Sequence, residues 1–128
     1  MRKETSTNFL NERALLAACP FARALEILAP RWSAALLFKL AGAGAPRSFG
    51  ELRGELPGVS KKVLAGRLRE LAGAGVVAKR VHASDPPRIE YALTARGRDL
   101  VPVLRAMEAW GRERDPDPAA VGVAFETR

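Results

Sequence analysis

The chain has 128 residues, enough for one domain with a modest hydrophobic core, and a net charge of +7. Its longest nearly apolar run, "WSAALLFKLAGAGA", is interrupted by Lys39, which excludes a membrane-spanning helix. The single cysteine, Cys19, excludes an internal disulfide framework, and the N-terminus lacks the apolar segment of a signal peptide, so we expect a cytoplasmic protein.

The first elements in the chain are two helices. From Ala14 to Leu28 the pattern is helical, with an interruption at Cys19-Pro20. Proline suits a first helical position because the N–H that it lacks would be unpaired there. Pro30 separates this helix from a second one, predicted from Arg31 to about Ala41. The second helix has an apolar face, which predicts a core position: Trp32, Leu36, Leu37 and Leu40.

A short helix, a turn and a longer helix follow. Ser48 and Glu51 form an S-x-x-E capping box, which predicts a short helix from Phe49 to about Leu56. Pro57-Gly58 is a turn. Ser60 then offers a second N-cap, for a helix that ends at about Ala72.

A hairpin and a last helix complete the pattern. The segments "VVAKRV" (76–81) and "RIEYAL" (88–93) are predicted strands, and the prolines of "HASDPPR" end the pairing between them. Thr94 can cap one long final helix with an apolar stripe. The order predicts a mainly α fold with a small β-hairpin, the winged helix-turn-helix.

Several short motifs occur in a characteristic order: a Cys-Pro start, Arg-Trp, "FGEL", "PGVS", "RLREL" and "PPRIEYALT". On these motifs, which span roughly residues 19 to 110, the chain resembles the HxlR-type family of bacterial winged-helix transcriptional regulators, with a MarR/HxlR-like fold. The resemblance implies a homodimer that binds a pseudo-palindromic operator and represses or activates a neighbouring gene. Several members of the family respond to electrophiles or oxidants through an N-terminal cysteine.

The chain departs from the family in the middle of the recognition helix, the second helix of the helix-turn-helix. Similar proteins often carry polar side chains where this chain has Ala65-Gly66. Glycine in a helix interior costs about 1 kcal/mol relative to alanine. Ala65 and Gly66 also remove two possible base contacts, so we expect base reading to be concentrated at the N-terminus of this helix.

Three regions are expected along the chain. Residues 1–18 form an N-terminal arm, and residues 19–111 form the winged helix-turn-helix with a C-terminal dimerisation helix. Residues 112–128 form a flexible tail. A single small domain does not bury the whole apolar stripe of the last helix, so the arm of a partner subunit is expected to cover it. Removal of residues 1–18 should then give monomers in analytical ultracentrifugation.

The positive charge is concentrated in the middle of the chain. Residues 47 to 88 carry nine Lys/Arg and four acidic residues, a net charge of +5. Such a focused excess favours double-stranded DNA, rather than a membrane, as the partner. The alternative is a basic protein with a solvated surface.

The candidate DNA-binding residues lie on three elements. Ser60, Lys61 and Lys62 form the first turn of the recognition helix, where side chains reach base edges or phosphates; the alternative is that both lysines are solvated. Arg69 lies on the same outer side as Lys62, and Arg67 has two interpretations, a phosphate contact or an internal ion pair. Ser48 caps the preceding helix, contacts a phosphate, or does both. In the wing, the predicted hairpin, we single out Lys79, Arg80, His82 and Arg88, suited to the minor groove or its phosphates.

Cys19 is the candidate for reactivity. Because it precedes Pro20, it is expected at a helix N-cap, where the helix dipole stabilises a thiolate, and Arg23 lies one turn on. One hypothesis is an oxidant or electrophile sensor that forms an intersubunit disulfide or an adduct. The alternative is a buried structural thiol, which burial makes inert.

Enzymes are disfavoured by composition. With one cysteine and one histidine the chain offers no nucleophile–base pair and no closed zinc site, so we predict no catalytic residue, metal or cofactor. A lone histidine such as His82 is more often structural. Trp32, Phe49, Tyr91 and Trp110 are more typical of core or dimer contacts than of a ligand pocket. The remaining partner is a small-molecule or oxidant effector. The alternative function is a winged-helix module for protein interaction or metabolite binding, without specific DNA binding.

Overall fold

The computed structural model describes Ala14 and residues 18–114. It contains six helices and three strands in this part of the chain. The helices are α1 (Pro20–Leu28), α2 (Ser33–Ala43), α3 (Phe49–Gly54), α4 (Lys61–Gly73), α5 (Ala95–Arg98) and α6 (Val101–Arg114). The strands are β1 (Arg47–Ser48), β2 (Val77–His82) and β3 (Arg88–Leu93). The mainly helical fold with a small sheet is confirmed.

The first two helices meet at an unusual turn. Cys19 is the N-cap of α1 and Pro20 is its first residue, as predicted. The second helix begins at Ser33 rather than Arg31, because Trp32 has a left-handed backbone with φ of +79°. Leu36 and Leu37 are fully buried. The predicted apolar face of α2 therefore forms part of the core.

Helices α3 and α4 form the helix-turn-helix. Helix α3 ends at Gly54, two residues before the predicted end at Leu56, and α4 runs almost as predicted. Between them Gly58 has φ of +95°, and the Trp32 ring lies 3.8 Å from the place where a Cβ of residue 58 would be. This turn therefore packs directly on the aromatic ring that follows α1.

The sheet has one strand more than the predicted hairpin. The order is β1-β3-β2, and both pairs are antiparallel. The two residues of β1 place Ser48 opposite Glu90 of β3. The start of α3 is thus joined by hydrogen bonds to the stem of the wing.

The prediction of one long last helix is wrong. Thr94 caps only the four-residue α5, and a second helix, α6, begins at Val101. The cause is Pro102, which has no N–H to donate to the carbonyl of Arg98 four residues earlier and whose ring would collide with it. Helix α6 then continues to Arg114, so residues 112–114 of the predicted tail are helical. The predicted arm, apart from Ala14 and Ala18, and residues 115–128 lie outside the described residues.

The segment after α4 is fastened to the start of α5 by three hydrogen bonds. The Thr94 backbone N–H donates to the carbonyl of Val76 at 3.1 Å, and the Thr94 hydroxyl donates to the carbonyl of Gly75 at 2.6 Å. Arg96 Nε donates to the carbonyl of Ala74 at 3.0 Å. We call this set of contacts the 74–96 corner. Gly97 completes it, since a Cβ there would overlap the backbone of Val76.

Candidate nucleic-acid interface

The N-terminal turn of α4 presents two exposed lysines on a capped helix start. The Ser60 hydroxyl accepts a hydrogen bond from the backbone N–H of Val63 at 3.1 Å, which confirms the predicted N-cap. Lys61 and Lys62 are both exposed. The remaining free N–H groups of this turn and the helix dipole favour an anion at the same end. Hydrogen-bond donors and positive charge are thus concentrated where the second helix of a helix-turn-helix reads DNA.

A cleft between α3 and α4 adds a basic residue that the sequence analysis did not single out. Arg53 lines this cleft together with Lys61, and its Nε donates to the carbonyl of Val59 at 3.4 Å. Gly50 and Gly54 also line it, and a Cβ at either position would meet nothing within 4 Å. Because these two glycines are four residues apart on the helix, this face of α3 leaves room for a close approach.

Further along α4, one face combines charge with a bare backbone. Lys62, Gly66 and Arg69 are spaced by four and three residues, so they lie on one side of the helix. The Arg69 guanidinium extends back over Gly66. Its Nη2 lies 3.8 Å from the place where a Cβ of residue 66 would be. The predicted proximity of Arg69 to the face of Lys62 is therefore present in the structure.

Arg67 is held within the protein. Its Nε donates to the backbone carbonyl of Arg31 at 2.7 Å, and its Nη1 lies 3.3 Å from both carboxylate oxygens of Glu70. Of the two interpretations of Arg67, the structure contains the internal ion pair.

The start of α3 carries the complete capping box. The Ser48 hydroxyl accepts from the Glu51 N–H at 3.1 Å, and the Glu51 carboxylate accepts from the Ser48 N–H at 2.8 Å. The backbone hydrogen bond from Ser48 is the main reason that the pKa of Glu51 lies below its ordinary value, with smaller contributions from Arg47 and Arg88. The capping box thus accounts for the position of Ser48.

The wing separates its basic residues onto two faces. Successive side chains on a strand point to opposite faces, so Lys79 and Arg80 of β2 diverge. His82 lies on the face of Arg80, opposite Arg88 in the β2–β3 register. Glu90 binds both, with His82 Nε2 at 2.7 Å from one carboxylate oxygen and Arg88 Nη2 at 3.1 Å from the other. His82 and Arg88 therefore share an acidic partner that the sequence analysis did not assign to them.

Cys19 lies at the predicted helix start. It is a free thiol, partly exposed, and its backbone carbonyl accepts from the Arg23 N–H at 3.1 Å.

Three of the four aromatic residues singled out from the sequence belong to the core. Trp32, Phe49 and Tyr91 pack against the buried cluster, and partial burial raises the pKa of the Tyr91 hydroxyl. Trp110 differs, because 66% of its surface is exposed. Within the described residues no group of three His, Cys, Asp or Glu side chains is arranged to hold a metal ion. None of the described helices is both long and apolar enough to cross a membrane.

Comparisons with known proteins agree with this geometry. The sequence model of the HxlR-like helix-turn-helix family matches residues 27–117. The HTH-type transcriptional regulator YvaP of Bacillus subtilis is 43% identical over 96 residues, which cover 74% of this chain and 87% of YvaP.

Two solved structures are similar to the fold at comparable coverage. The reduced form of the redox regulator HypR aligns with a TM-score of 0.71 and 30% identity, over 75% of this chain and 93% of HypR. The reduced form of the transcriptional regulator YodB from B. subtilis aligns with a TM-score of 0.64 and 33% identity, over 73% of this chain and 90% of YodB. The chain belongs to the HxlR-like helix-turn-helix family and is a transcriptional regulator of the helix-turn-helix type.

Proposed function

We propose that the protein binds a specific, pseudo-palindromic DNA operator as a homodimer. The observation that carries this proposal is the exposed Lys61–Lys62 pair on the capped first turn of α4. In a helix-turn-helix this turn enters the major groove, where lysine donates to guanine O6 and N7 or holds a phosphate.

The surrounding residues supply phosphate contacts. Arg53 and Arg69 flank the lysines on α3 and α4, and the wing adds Lys79, Arg80 and Arg88. Because the register places Ser48 beside Glu90, the start of α3 is held next to the stem of the wing. A duplex lying along α4 can then be held from both sides.

Exposed apolar side chains support the homodimer. On α6, Val103, Met107 and Trp110 are 45%, 49% and 66% exposed. On α1, Phe21 is 72% exposed and Leu25 is 44% exposed. Large exposed apolar side chains at this density are typical of an interface between subunits. Two subunits related by a two-fold axis present two α4 helices to a palindromic site.

Fluorescence anisotropy tests this function directly. The protein is titrated against a labelled duplex that flanks its own gene, at several salt concentrations and with excess random duplex. We expect binding that survives the competitor and a log K that falls steeply with log salt, because each neutralised phosphate releases counterions. Binding abolished by random duplex would leave nonspecific attraction only and would refute the operator.

We further propose that Cys19 makes DNA binding responsive to oxidants or electrophiles. HypR is a redox regulator, and YodB has been solved in a diamide-treated form. Partial exposure and the N-cap position support a reactive thiol in this chain. In the oxidation, two Cys19 thiols of two subunits form an S–S bond while diamide takes up the two electrons and two protons.

The Cys19→Ser variant tests the sensor. We expect diamide to change the operator affinity of the unsubstituted protein and to leave that of Cys19→Ser unchanged. A nonreducing gel should show a disulfide-linked dimer only when Cys19 is present. Equal diamide sensitivity in both proteins would eliminate this role for Cys19.

A further inference from the structure

An open cavity of about 490 Å³ lies between the end of α2, the sheet and the start of α6. Its volume falls within the range of small-molecule sites, about 300–1,000 Å³. Leu40, Leu93 and Val101 contribute apolar walls to it. The polar side chains in the cavity are two arginines, Arg80 and Arg98, and none of the described residues that line it is acidic.

Arg98 is held in place at the cavity wall. Its Nη1 donates to the backbone carbonyl of Leu93 at 3.2 Å. A guanidinium has five N–H donors in a fixed plane, so this bond orients the group and leaves four donors for a ligand. The cavity therefore contains an oriented, partly unused guanidinium.

Arg80 lacks the carboxylate that the sheet would offer it. Its register partner on β3 is Glu90, but both oxygens of Glu90 are occupied by His82 and Arg88. Within the described part of the chain Arg80 makes no salt bridge. Two arginines without an acidic partner beside an apolar wall form an environment suited to an organic anion.

We propose that this cavity binds a small organic carboxylate with an apolar body. The carboxylate group lies against Arg80 and Arg98, where guanidinium–carboxylate pairs form bidentate hydrogen bonds. The apolar body lies against Leu40, Leu93 and Val101 and buries apolar surface there.

The site is connected to the wing through Arg80. A bound carboxylate neutralises a positive charge on β2, the strand that leads into the wing. If the protein binds DNA as proposed, occupancy of the cavity lowers the affinity for DNA. Ligand binding itself does not depend on DNA and is measured without it.

Isothermal titration calorimetry tests the site with 2-naphthoate and with its neutral isostere 2-naphthamide. We expect 2-naphthoate to bind at least about tenfold more tightly than the amide, since a charged hydrogen-bonded pair contributes about 1.5–3 kcal/mol. Arg80→Gln and Arg98→Gln should each weaken 2-naphthoate binding by about tenfold or more. Arg105→Gln, which removes an exposed arginine from α6 outside the cavity, should bind as the unsubstituted protein does.

Equal binding of the acid and the amide, or an equal loss in Arg105→Gln, would overturn the proposal. If Arg98→Gln unfolds, Arg80→Gln and the charge-preserving Arg98→Lys carry the test. Anisotropy with operator DNA is a separate measurement. If the protein binds 2-naphthoate in the cavity but does not bind DNA specifically, the proposed operator is refuted and the proposed ligand site stands.

Discussion

Arg67 donates a hydrogen bond from its Nε to the backbone carbonyl oxygen of Arg31, at 2.7 Å, across 36 positions of the chain. This bond joins α4 to the residue before Trp32, which has a left-handed backbone. A bulky residue in that conformation costs about 1–3 kcal/mol and persists only when its surroundings hold it. An arginine on the recognition helix thus stabilises the turn between α1 and α2.

This relationship separates Arg67 from its neighbour Arg69. We expect Arg67→Gln to lower the free energy of unfolding by about 1 kcal/mol, the net value of a hydrogen bond, and to leave the salt dependence of DNA binding unchanged. Arg69→Gln should leave the free energy of unfolding unchanged and reduce the slope of log K against log salt by about 1. Urea denaturation and anisotropy measure the two effects. A reduced slope of log K against log salt in Arg67→Gln would mean that Arg67 contacts a DNA phosphate.

The lysines at the start of α4 carry the clearest prediction about DNA. Lys61→Ala and Lys62→Ala should each weaken operator binding without a change in the urea midpoint, because both side chains are exposed. Lys39→Ala on α2 is the matched control, since Lys39 is also exposed and lies on a helix outside the helix-turn-helix. Equal affinity losses in all three variants would mean that only the net charge matters.

Substitution of Gly66 should change the free energy of unfolding and the affinity for DNA in opposite directions. A Cβ at this position meets only Arg69 Nη2, at an ordinary contact distance of 3.8 Å. Gly66→Ala should therefore raise the free energy of unfolding by about 1 kcal/mol, the difference in helix propensity. If DNA approaches the bare face of α4, the same variant should bind the operator less tightly. Unchanged affinity in a more stable protein would show that the duplex does not reach Gly66.

The 74–96 corner has no room for a methyl group. Gly97→Ala should destabilise the protein by about 3 kcal/mol, because its Cβ would overlap the backbone of Val76, which cannot rotate away. Gly111→Ala on α6 is the control, since nothing lies within 4 Å of its Cβ, and it should be neutral or slightly stabilising. Thermal unfolding of both variants checks the difference, and similar melting temperatures would contradict it.

The capping box makes stability sensitive to acid. The pKa of Glu51 in the folded protein lies below its ordinary value of 4.5, so the ionised carboxylate favours folding above pH 4.5. This contribution is lost as the pH falls from 4.5 through the folded pKa. Urea midpoints at pH 7 and pH 3 should show Glu51→Gln less stable than the unsubstituted protein at pH 7, with a smaller difference at pH 3. A difference that grew at pH 3 would have the wrong sign.

Sequence patterns predicted the elements that have strong local signals. The two serine caps and the core face of α2 depend on neighbouring residues, and all are present. Strand β1 was missed because two residues show no periodicity and pair only with the free edge of β3. The break before α6 has a local signal in Pro102, the second residue of that helix.

The candidate site was less predictable than the fold. The basic residues were found from charge and position, but their partners come from tertiary structure. The carbonyl of Arg31 reaches Arg67 only because α2 starts late, at Ser33. Glu90 reaches His82 and Arg88 only in the observed register. Charge composition therefore indicates a DNA surface, and the fold determines which of its charges remain available.

The 74–96 corner has a mechanical consequence for a dimer built on α6. It holds the end of α4 against the residues that lead into α6 by three hydrogen bonds, so in such a dimer we expect the two elements to move together. A rotation of a few degrees between two α6 helices is then transmitted, rather than absorbed, and displaces each α4 along the duplex. If the protein binds DNA as the proposed dimer, this corner, far from any base, contributes to the spacing of the two α4 helices.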